Sequence, residues 1–322
     1  MKIIDLALKV GAKRLHQDRQ YQIKTTQSYR KKFFFKGNLK SFLLEKRINC
    51  PACTSTKNFY LFIKNGGKYS LCNNCDLIYL NPVFKDKYLK TYYSRMTDGQ
   101  SFVSKKEKIY YNNIYNKGLS KILKFSNKLR TILDIGCSSG IFLDLAKKKN
   151  LITYGVELNK KELKLVSSKH VIFSQNIFDF HYDRKFDCIT MWDVIEHIKD
   201  TNLLLKRIYN MLSPNGIFFF QTPNAFSAAS TILNKNCNMF DGIEHVNLFS
   251  LKNIHLIAKK NNFKILSIET IISEIPIINN YLEFKDIYLG DSRKSKLFQI
   301  IDEKKLHKNL LGYKFQVVFK KS

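Results

Sequence analysis

The chain has 322 residues and is strongly basic, with 55 lysine and arginine residues against 26 acidic ones and a formal net charge of +29. Its length allows one α/β domain of about 200 residues and a smaller accessory region. Its hydrophobic content of 44% is ordinary for a globular protein. No run approaches about 18 apolar residues, so the sequence predicts no transmembrane helix.

The large positive charge has two interpretations. A basic surface raises the affinity of a protein for polyanions such as RNA. However, lysine outnumbers arginine 46 to 9 and is scattered over the whole chain, whereas arginine is the residue expected for planar, bidentate recognition of phosphate. We favour a compositional bias and keep an anionic partner as the alternative.

Residues 1–47 form a basic N-terminal segment in which aromatic and aliphatic residues are interleaved with lysines. Residues 1–17 are too interrupted by charges for a signal peptide, and their pattern predicts a short amphipathic helix. A cytoplasmic location is therefore the expectation.

Four cysteines form two Cys-x-x-Cys pairs with 18 residues between them. This spacing is typical of a zinc ribbon, in which each pair presents two thiolates to one tetrahedral ion. We place the ribbon at residues 48–81, with a hairpin between the pairs and a structural ion, because no coordination position is left open. Two disulfides, disfavoured in a reducing cytosol, and a redox Cys-x-x-Cys are the alternatives. The predicted ligands are Cys50, Cys53, Cys72 and Cys75.

Residues 82–118 are predicted to form a helical connector that is rich in tyrosine. A tyrosine stripe on a helix usually packs against a neighbouring element, and the alternative is that it lines a substrate entrance. The tyrosines are Tyr88, Tyr92, Tyr93, Tyr110, Tyr111 and Tyr115.

From residue 119 to residue 322 the chain alternates strand and helix, which is typical of a parallel sheet. Six strand–helix units followed by a final apolar segment predict an α/β fold with a seven-stranded, mostly parallel, Rossmann-like sheet beside the small N-terminal ribbon. The predicted strands are 131–135, 152–156, 170–173, 187–191, 216–221, 264–269 and 313–319.

The most informative stretch is the turn after the first of these strands, residues 134–140, which begins with an acid and carries two glycines four positions apart. Such glycines let the backbone pass close to a ligand. The next strand ends in Glu157, whose two carboxylate oxygens suit the two hydroxyls of a ribose. The dinucleotide pattern G-x-G-x-x-G is not satisfied, because the positions inside the turn are Cys137, Ser138 and Ser139. The sequence therefore predicts a nucleoside-like cofactor without a pyrophosphate cradle.

Polar residues also follow the next two strands. Asn176, after the third strand, offers a carbonyl oxygen as an acceptor. Asp193 follows the fourth strand, at the carboxyl edge where ligands bind in open α/β sheets. Glu196 and His197 are interpreted as residues that orient the following loop and helix rather than as chemical groups.

Together these motifs resemble the class I S-adenosylmethionine-dependent methyltransferases that carry an N-terminal zinc ribbon, a family common in bacterial surface-glycan and secondary-metabolite pathways. The resemblance covers roughly residues 48–269 and the last strand, which in this family inserts antiparallel. It implies S-adenosylmethionine and a structural zinc ion as cofactors. Residues of about 275–310 lie outside it and are interpreted as part of a substrate cap. The cofactor-binding residues that it implies are Asp134, Gly136, Cys137, Gly140, Glu157, Leu158, Asn176, Ile177 and Asp193.

The segment after the fifth strand, residues 241–250, resembles the part of deoxysugar C-methyltransferases that carries the general acid/base in a Tyr-x-Glu-His sequence. Glu244 and His245 match this sequence and are the predicted catalytic residues, with His245 as the proton acceptor. The tyrosine position is occupied by Gly242, which departs from the pattern. The implied activity is O- or C-methylation of a sugar or glycan-type small molecule, free or nucleotide-linked.

Two other functions are kept open. An RNA methyltransferase could hold RNA through the ribbon and the basic surface, although the chain has no Asn-Pro-Pro-Tyr/Phe motif. A nucleic-acid-binding scaffold with a vestigial cofactor fold is the second, and the intact glycine turn and Glu157 argue against it.

Overall fold

A computed structural model describes residues 28–36, 38–95, 105–126, 128–285 and 292–322. The amphipathic helix predicted for residues 1–17 lies outside these ranges. Within them, no helix combines the length and the apolar character that crossing a membrane would require.

The N-terminal part of the described chain contains short strands followed by two helices. Its strands and helices are β1 (Phe34–Phe35), β2 (Asn38–Leu39), β3 (Leu44–Glu45), β4 (Asn58–Lys64), β5 (Gly67–Cys72), β6 (Ile78–Leu80), β7 (Val83–Phe84), α1 (Asp86–Arg95) and α2 (Lys105–Phe125). The strands β4 and β5 form the predicted hairpin. Asn65 and Gly66 turn it with φ angles of 47° and 77°, as a tight two-residue hairpin turn requires.

The C-terminal part alternates strand and helix. Its strands are β8 (Thr131–Ile135), β9 (Ile152–Val156), β10 (Val171–Phe173), β11 (Phe186–Trp192), β12 (Leu212–Pro223), β13 (Asn247–Leu248), β14 (Phe263–Ile271) and β15 (Lys314–Lys321). Its helices are α3 (Ile141–Lys147), α4 (Lys160–Leu163), α5 (Thr201–Met211), α6 (Ala228–Leu233), α7 (Leu251–Lys260), α8 (Glu274–Phe284), α9 (Leu297–Ile300) and α10 (Glu303–Lys308).

Seven of these strands form one central sheet in the order β10-β9-β8-β11-β12-β15-β14. The strands from β10 to β12 are parallel, and β15 is antiparallel to both of its neighbours. The α/β fold and the antiparallel insertion of the last strand are thereby confirmed. The strand order reverses between β8 and β11, and ligands of open α/β sheets bind at such a switch point.

The central sheet is apolar on both faces, which is why its strands read as nearly continuous hydrophobic runs. In β12, Phe218 and Phe220 belong to the core on one face, while Phe219 belongs to the core on the other. All three side chains are fully buried. Burial of this kind contributes about 1.5–3 kcal/mol for each large side chain.

A second, smaller sheet has the order β13-β6-β5-β4. Cys72 ends its strand β5, and the other three cysteines lie in turns outside its strands. The strand β13 comes from far along the chain, and its Asn247 pairs with Tyr79 of β6. Cys75 and Leu77 share a buried core with Phe249 and with the central sheet. The two sheets are therefore joined by one continuous core, and the boundaries at residues 47, 81 and 118 stay predictions.

Candidate active site

A cavity of about 350 Å³ opens at the carboxyl ends of β8, β9 and β11, at the switch point of the sheet. Its volume lies in the range of about 300–1,000 Å³ that is usual for small-molecule sites. No described residue from 275–310 lines it, and the substrate-cap interpretation of that segment stays a prediction. The predicted site residues that line it are Asp134, Gly136, Cys137, Glu157, Leu158, Asn176, Ile177, Asp193 and Glu244.

The cavity is acidic although the chain is basic. Five acidic side chains line it, and no lysine or arginine is among the described residues that line it. The five are Asp134, Glu157, Glu162, Asp193 and Glu244. Low-dielectric walls of one sign concentrate ions of the opposite sign, so the ionised acids of this lining favour a cationic ligand over phosphate. Two of the five are paired with cations from outside the lining, Glu244 with Arg30 and Asp193 with Lys314.

The glycine turn has the conformation that its sequence predicts. Gly136, Ser138 and Gly140 have positive φ angles of 75°, 48° and 79°, a region that glycine enters without steric cost. A Cβ atom on Gly136 would lie 2.6 Å from Val194 Cγ2, so only glycine fits. Gly140 does not line the cavity but precedes the first residue of α3.

Glu157 is fixed by backbone amides at the end of β9. Its carboxylate accepts hydrogen bonds from the amides of Ser138 at 3.0 Å, Leu158 at 2.7 Å and Asn159 at 2.8 Å. Burial raises the pKa of Glu157, while these amides act in the opposite direction. The acid thus faces the cavity in one orientation, with remaining lone pairs for ligand hydroxyls.

Two more of the predicted cofactor-binding residues, Asp134 and Asn176, line the same cavity as Glu157. Asp134 accepts a hydrogen bond of 2.7 Å from the Thr190 hydroxyl, and burial raises its pKa to about 8. Asn176 uses its carbonyl oxygen to accept from the amide of Phe178 at 2.9 Å. That bond fixes the side chain at the rim where the resemblance places an adenine contact.

The other end of the cavity is formed around Glu244. Its carboxylate receives very short hydrogen bonds from the Arg30 guanidinium and the Tyr92 hydroxyl. Asp241 lies 3.4 Å from the same guanidinium, and its carboxylate also accepts from the amides of residues 243–245. Burial would raise the pKa of Asp241, but the charges of His245 and Arg30 outweigh it and lower the pKa.

Four tyrosines line the cavity. Tyr92, Tyr93, Tyr111 and Tyr115 all do so, which supports the alternative interpretation of the tyrosine stripe. Burial raises the pKa of Tyr93 well above its usual value, and the negative charge of Glu244 adds to the effect. Its hydroxyl therefore stays neutral and able to donate.

The rings of His197 and His245 lie next to each other, with their centroids 5.0 Å apart. His197 lines the cavity, and its Nδ1 lies 3.0 Å from the backbone oxygen of Glu244. His245 is not among the lining residues, and its Nδ1 lies 2.6 Å from the backbone oxygen of Met239. Because a carbonyl oxygen only accepts, these contacts favour the tautomer with the proton on Nδ1 and with Nε2 as the acceptor. At His197 the Tyr93 hydroxyl also lies 3.3 Å from Nδ1.

The glycine at the tyrosine position of the Tyr-x-Glu-His pattern has a steric reason. Gly242 has a φ of 85°, and a Cβ atom there would lie 2.2 Å from the backbone oxygen of Lys64. Tyr69 of the cysteine-bearing sheet accepts a hydrogen bond from the Gly242 amide at 3.0 Å. The small sheet therefore supports the loop that carries Glu244, and tyrosine hydroxyls reach Glu244 from α1 instead.

The four cysteine sulfurs all lie within 4.8 Å of one another. Cys50 and Cys75 are 3.6 Å apart, and Cys53 and Cys72 are 3.4 Å apart. A tetrahedral zinc ion with Zn–S distances of about 2.3 Å places its sulfurs about 3.8 Å apart, so the cluster fits zinc. Asn253 of α7 donates to the Cys75 sulfur at 3.4 Å, the type of outer contact that orients metal ligands.

Sequence reasoning missed Arg30 and set His197 aside. A usable signal for Arg30 was its residue type. In a chain that uses lysine about five times as often as arginine, each arginine is a candidate for a place where a planar donor group is needed. Arg47 follows the same rule, since its guanidinium donates to backbone oxygens at Val246 and Lys199 and to Asn247.

The fold and this cavity define a class I methyltransferase domain. Residues 108–268, half of the chain, match the family described as "Methyltransferase domain". The chain belongs to this family.

Curated relatives resemble only part of the chain. The ubiquinone biosynthesis O-methyltransferase of Pasteurella multocida is 29% identical over 127 residues, covering 33% of this chain and 52% of that protein. The protein of the same name from Histophilus somni is 28% identical over 109 residues, covering 30% and 45%. The chain thus spans about half the length of the curated relatives it matches.

Solved structures give more distant matches. Magnesium protoporphyrin IX methyltransferase from Synechocystis aligns with a TM-score of 0.49 and 13% identity, over 74% of this chain and all of that one. An S-adenosylmethionine-dependent methyltransferase from Archaeoglobus fulgidus aligns with a TM-score of 0.47 and 20% identity, over 65% and 94%.

Proposed function

We propose that the protein is an S-adenosylmethionine-dependent methyltransferase that acts on a hydroxylated small molecule of the sugar or glycan type. The observation that carries this proposal is the acidic cavity at the switch point, with Glu157 fixed by three amides. The residues fit the cofactor, because Glu157 can accept from ribose hydroxyls and the acidic lining favours a sulfonium and an ammonium charge.

The bound cofactor would supply an activated methyl group, and the protein would hold the acceptor in line with it. Such positioning accounts for much of the barrier reduction in displacement reactions. His197, which lines the cavity, and His245, whose ring lies beside it, are the candidate groups for proton removal through Nε2. Glu244, neutralised by Arg30, would hold an acceptor hydroxyl by hydrogen bonding.

The cofactor proposal is tested by replacing Glu157 with alanine. Titration calorimetry should show binding of S-adenosylmethionine by the wild type and at least a tenfold weaker Kd for Glu157→Ala, because about 1.5–3 kcal/mol is lost with a charged hydrogen-bond acceptor. Glu283→Ala, an exposed acid on α8, is the control and should bind normally. A wild type that binds no cofactor would refute the proposal.

The choice of proton acceptor is tested by a matched pair of variants. We expect His197→Ala and His245→Ala to bind cofactor like the wild type and to lose about 10²–10⁴-fold in turnover for whichever ring acts as the base. Exposed His255 provides the control, His255→Ala. Full turnover in His245→Ala with the true acceptor would remove His245 from the mechanism.

A phenolic acceptor is the second candidate. The aromatic lining of four tyrosines together with Phe142 and Trp192 favours it, because aromatic walls stack on planar rings. Methyl-transfer assays with sugars, nucleotide sugars and catechols would separate the two classes. RNA would be included at low and high salt, since binding to a nucleic acid weakens steeply as salt rises.

We also propose that Cys50, Cys53, Cys72 and Cys75 hold a structural zinc ion. Their sulfur spacing supports tetrahedral coordination, and four cysteine ligands leave no open position for a reacting water. Its role would be to fix the small sheet, and through Tyr69 the loop at Gly242.

A further inference from the structure

A row of polar side chains crosses the central sheet and ends at the cavity. Gln221 of β12 lies opposite Gln316 of β15, which lies opposite Glu269 of β14. Gln221 and Gln316 are fully or almost fully buried. Buried amides in an otherwise apolar sheet are costly unless they are hydrogen-bonded, and here each one is bonded to the next.

The bonds run continuously from α2 to the end of β11. Lys121 of α2 donates to Gln316 at 3.2 Å, and Gln316 donates to Gln221 at 3.1 Å. Gln221 then donates to Asp193 Oδ2 at 2.8 Å. Glu269 pairs with Lys121 at 3.0 Å, at the outer end of the row.

The donor-to-acceptor direction of the hydrogen bonds in this row follows from the groups at its two ends. An ammonium group can only donate and an ionised carboxylate can only accept. With Lys121 at one end and Asp193 at the other, both glutamine amides must point the same way. Such a chain polarises each of its bonds in the same sense.

Asp193 itself lies at the rim of the cavity with a φ of 55° and a side chain that is 30% exposed. Its Oδ1 is buried and has no hydrogen-bond partner among the described residues, so this oxygen can still accept a hydrogen bond, whereas Oδ2 already accepts one from Gln221. Lys314 also donates to Oδ2, at 2.7 Å. Two fixed donors therefore set the orientation of this carboxylate.

We propose that Gln316 and Gln221, with Lys121 behind them, are positioning residues that hold Asp193 so that it binds the ammonium group of the cofactor's amino-acid part. The inference rests on the proposed function, since it assumes that the cavity takes S-adenosylmethionine. The acidic lining agrees with a cation at this place. Lys314, which is not among the described lining residues, contacts the same carboxylate from β15.

The test compares three ligands that differ only in the amino-acid part. S-adenosylhomocysteine has both its amino and its carboxylate group, S-adenosyl-3-thiopropylamine keeps the amino group alone, and 5′-methylthioadenosine has neither. In the wild type, the amine should bind at least about tenfold more tightly than methylthioadenosine, the usual gain from a charged hydrogen bond. S-adenosylhomocysteine should also bind more tightly than methylthioadenosine.

Two variants of Gln316 break the row in different ways. Gln316→Leu removes both of its bonds. Gln316→Glu keeps the size and the acceptor for Lys121 but cannot donate to Gln221, which would then turn its carbonyl oxygen toward Asp193. In both variants the ratio of the Kd of methylthioadenosine to the Kd of the amine should fall to near one, while the Kd of methylthioadenosine itself stays unchanged. Gln299→Leu, at an exposed glutamine of α9, should behave as the wild type.

The outcomes separate the two proposals. A wild type that binds none of the three ligands refutes the proposed function. If the wild type binds them and the Gln316 variants keep the amine preference, or weaken all three ligands equally, the positioning role is overturned. Failure of both variants to fold, shown by thermal unfolding, would make the row purely structural and would also overturn it.

Discussion

Cys72→Ser is expected to abolish zinc binding and to unfold the small sheet. Cys72 ends β5, and its sulfur lies 3.4 Å from that of Cys53. A structural zinc ion in a small metal-bound domain contributes about 10–16 kcal/mol, which is comparable to the entire stability of a typical domain, about 5–15 kcal/mol. Because the cysteines share a core with the central sheet, thermal unfolding should shift for the whole protein. Metal analysis should find about one zinc per wild-type chain and none in the variant.

Cys188→Ser is the matched control. Cys188 is fully buried in β11, outside the cluster, so this variant loses a buried thiol without losing a predicted ligand. It should keep its zinc, and its unfolding temperature should fall much less than that of Cys72→Ser, because a buried hydroxyl without a partner costs about 1–3 kcal/mol. Stable, zinc-free wild-type protein with normal cofactor binding would contradict the structural role of the metal.

Arg30→Met is expected to impair the end of the cavity around Glu244, where we place the methyl acceptor (the acceptor end). It should spare the end around Glu157, where we place the cofactor (the cofactor end). The variant leaves Glu244 and Asp241 without their shared cation, and removing one partner of a buried ion pair costs about 3–5 kcal/mol. The loop that carries Glu244 should then loosen. Turnover should fall by at least about 10²-fold, whereas calorimetry should find the Kd for S-adenosylmethionine within about twofold of the wild-type value.

Arg130→Met removes an exposed arginine and should leave both measurements unchanged. Arg30→Lys keeps the charge but not the planar donor geometry, so partial recovery of turnover is expected. Equal turnover in Arg30→Met and the wild type would show that Arg30 has no part in the acceptor site.

The cofactor end of the site was predictable because its signals are local. The glycine turn, Glu157 and Asp193 each lie within one or two residues of a strand end, and parallel strands bring their carboxyl ends together. The cysteine pairs were predictable for the same reason, since each turn is formed by four consecutive residues.

The acceptor end was only partly predictable, because it is assembled from distant segments. Arg30 reaches Glu244 across 214 positions, and Tyr92 reaches it across 152. Glu244, which the sequence predicts to be catalytic, lines the cavity, but nothing in the local pattern ranks His197 above His245. That difference depends on which ring the surrounding backbone turns toward the cavity. The part of His245 in proton removal stays a prediction.

The position of β13 in the cysteine-bearing sheet has a consequence for how the chain folds during synthesis. Domains generally fold from the N-terminus as the chain emerges, yet this sheet lacks its fourth strand until Asn247 and Leu248 have been made. Closing a loop of this length carries an entropic cost that the strand pairing must offset. The nascent sheet therefore keeps β6 as an exposed edge through most of translation, and such edges promote aggregation. Early zinc capture by the cysteine pairs would protect it during that interval.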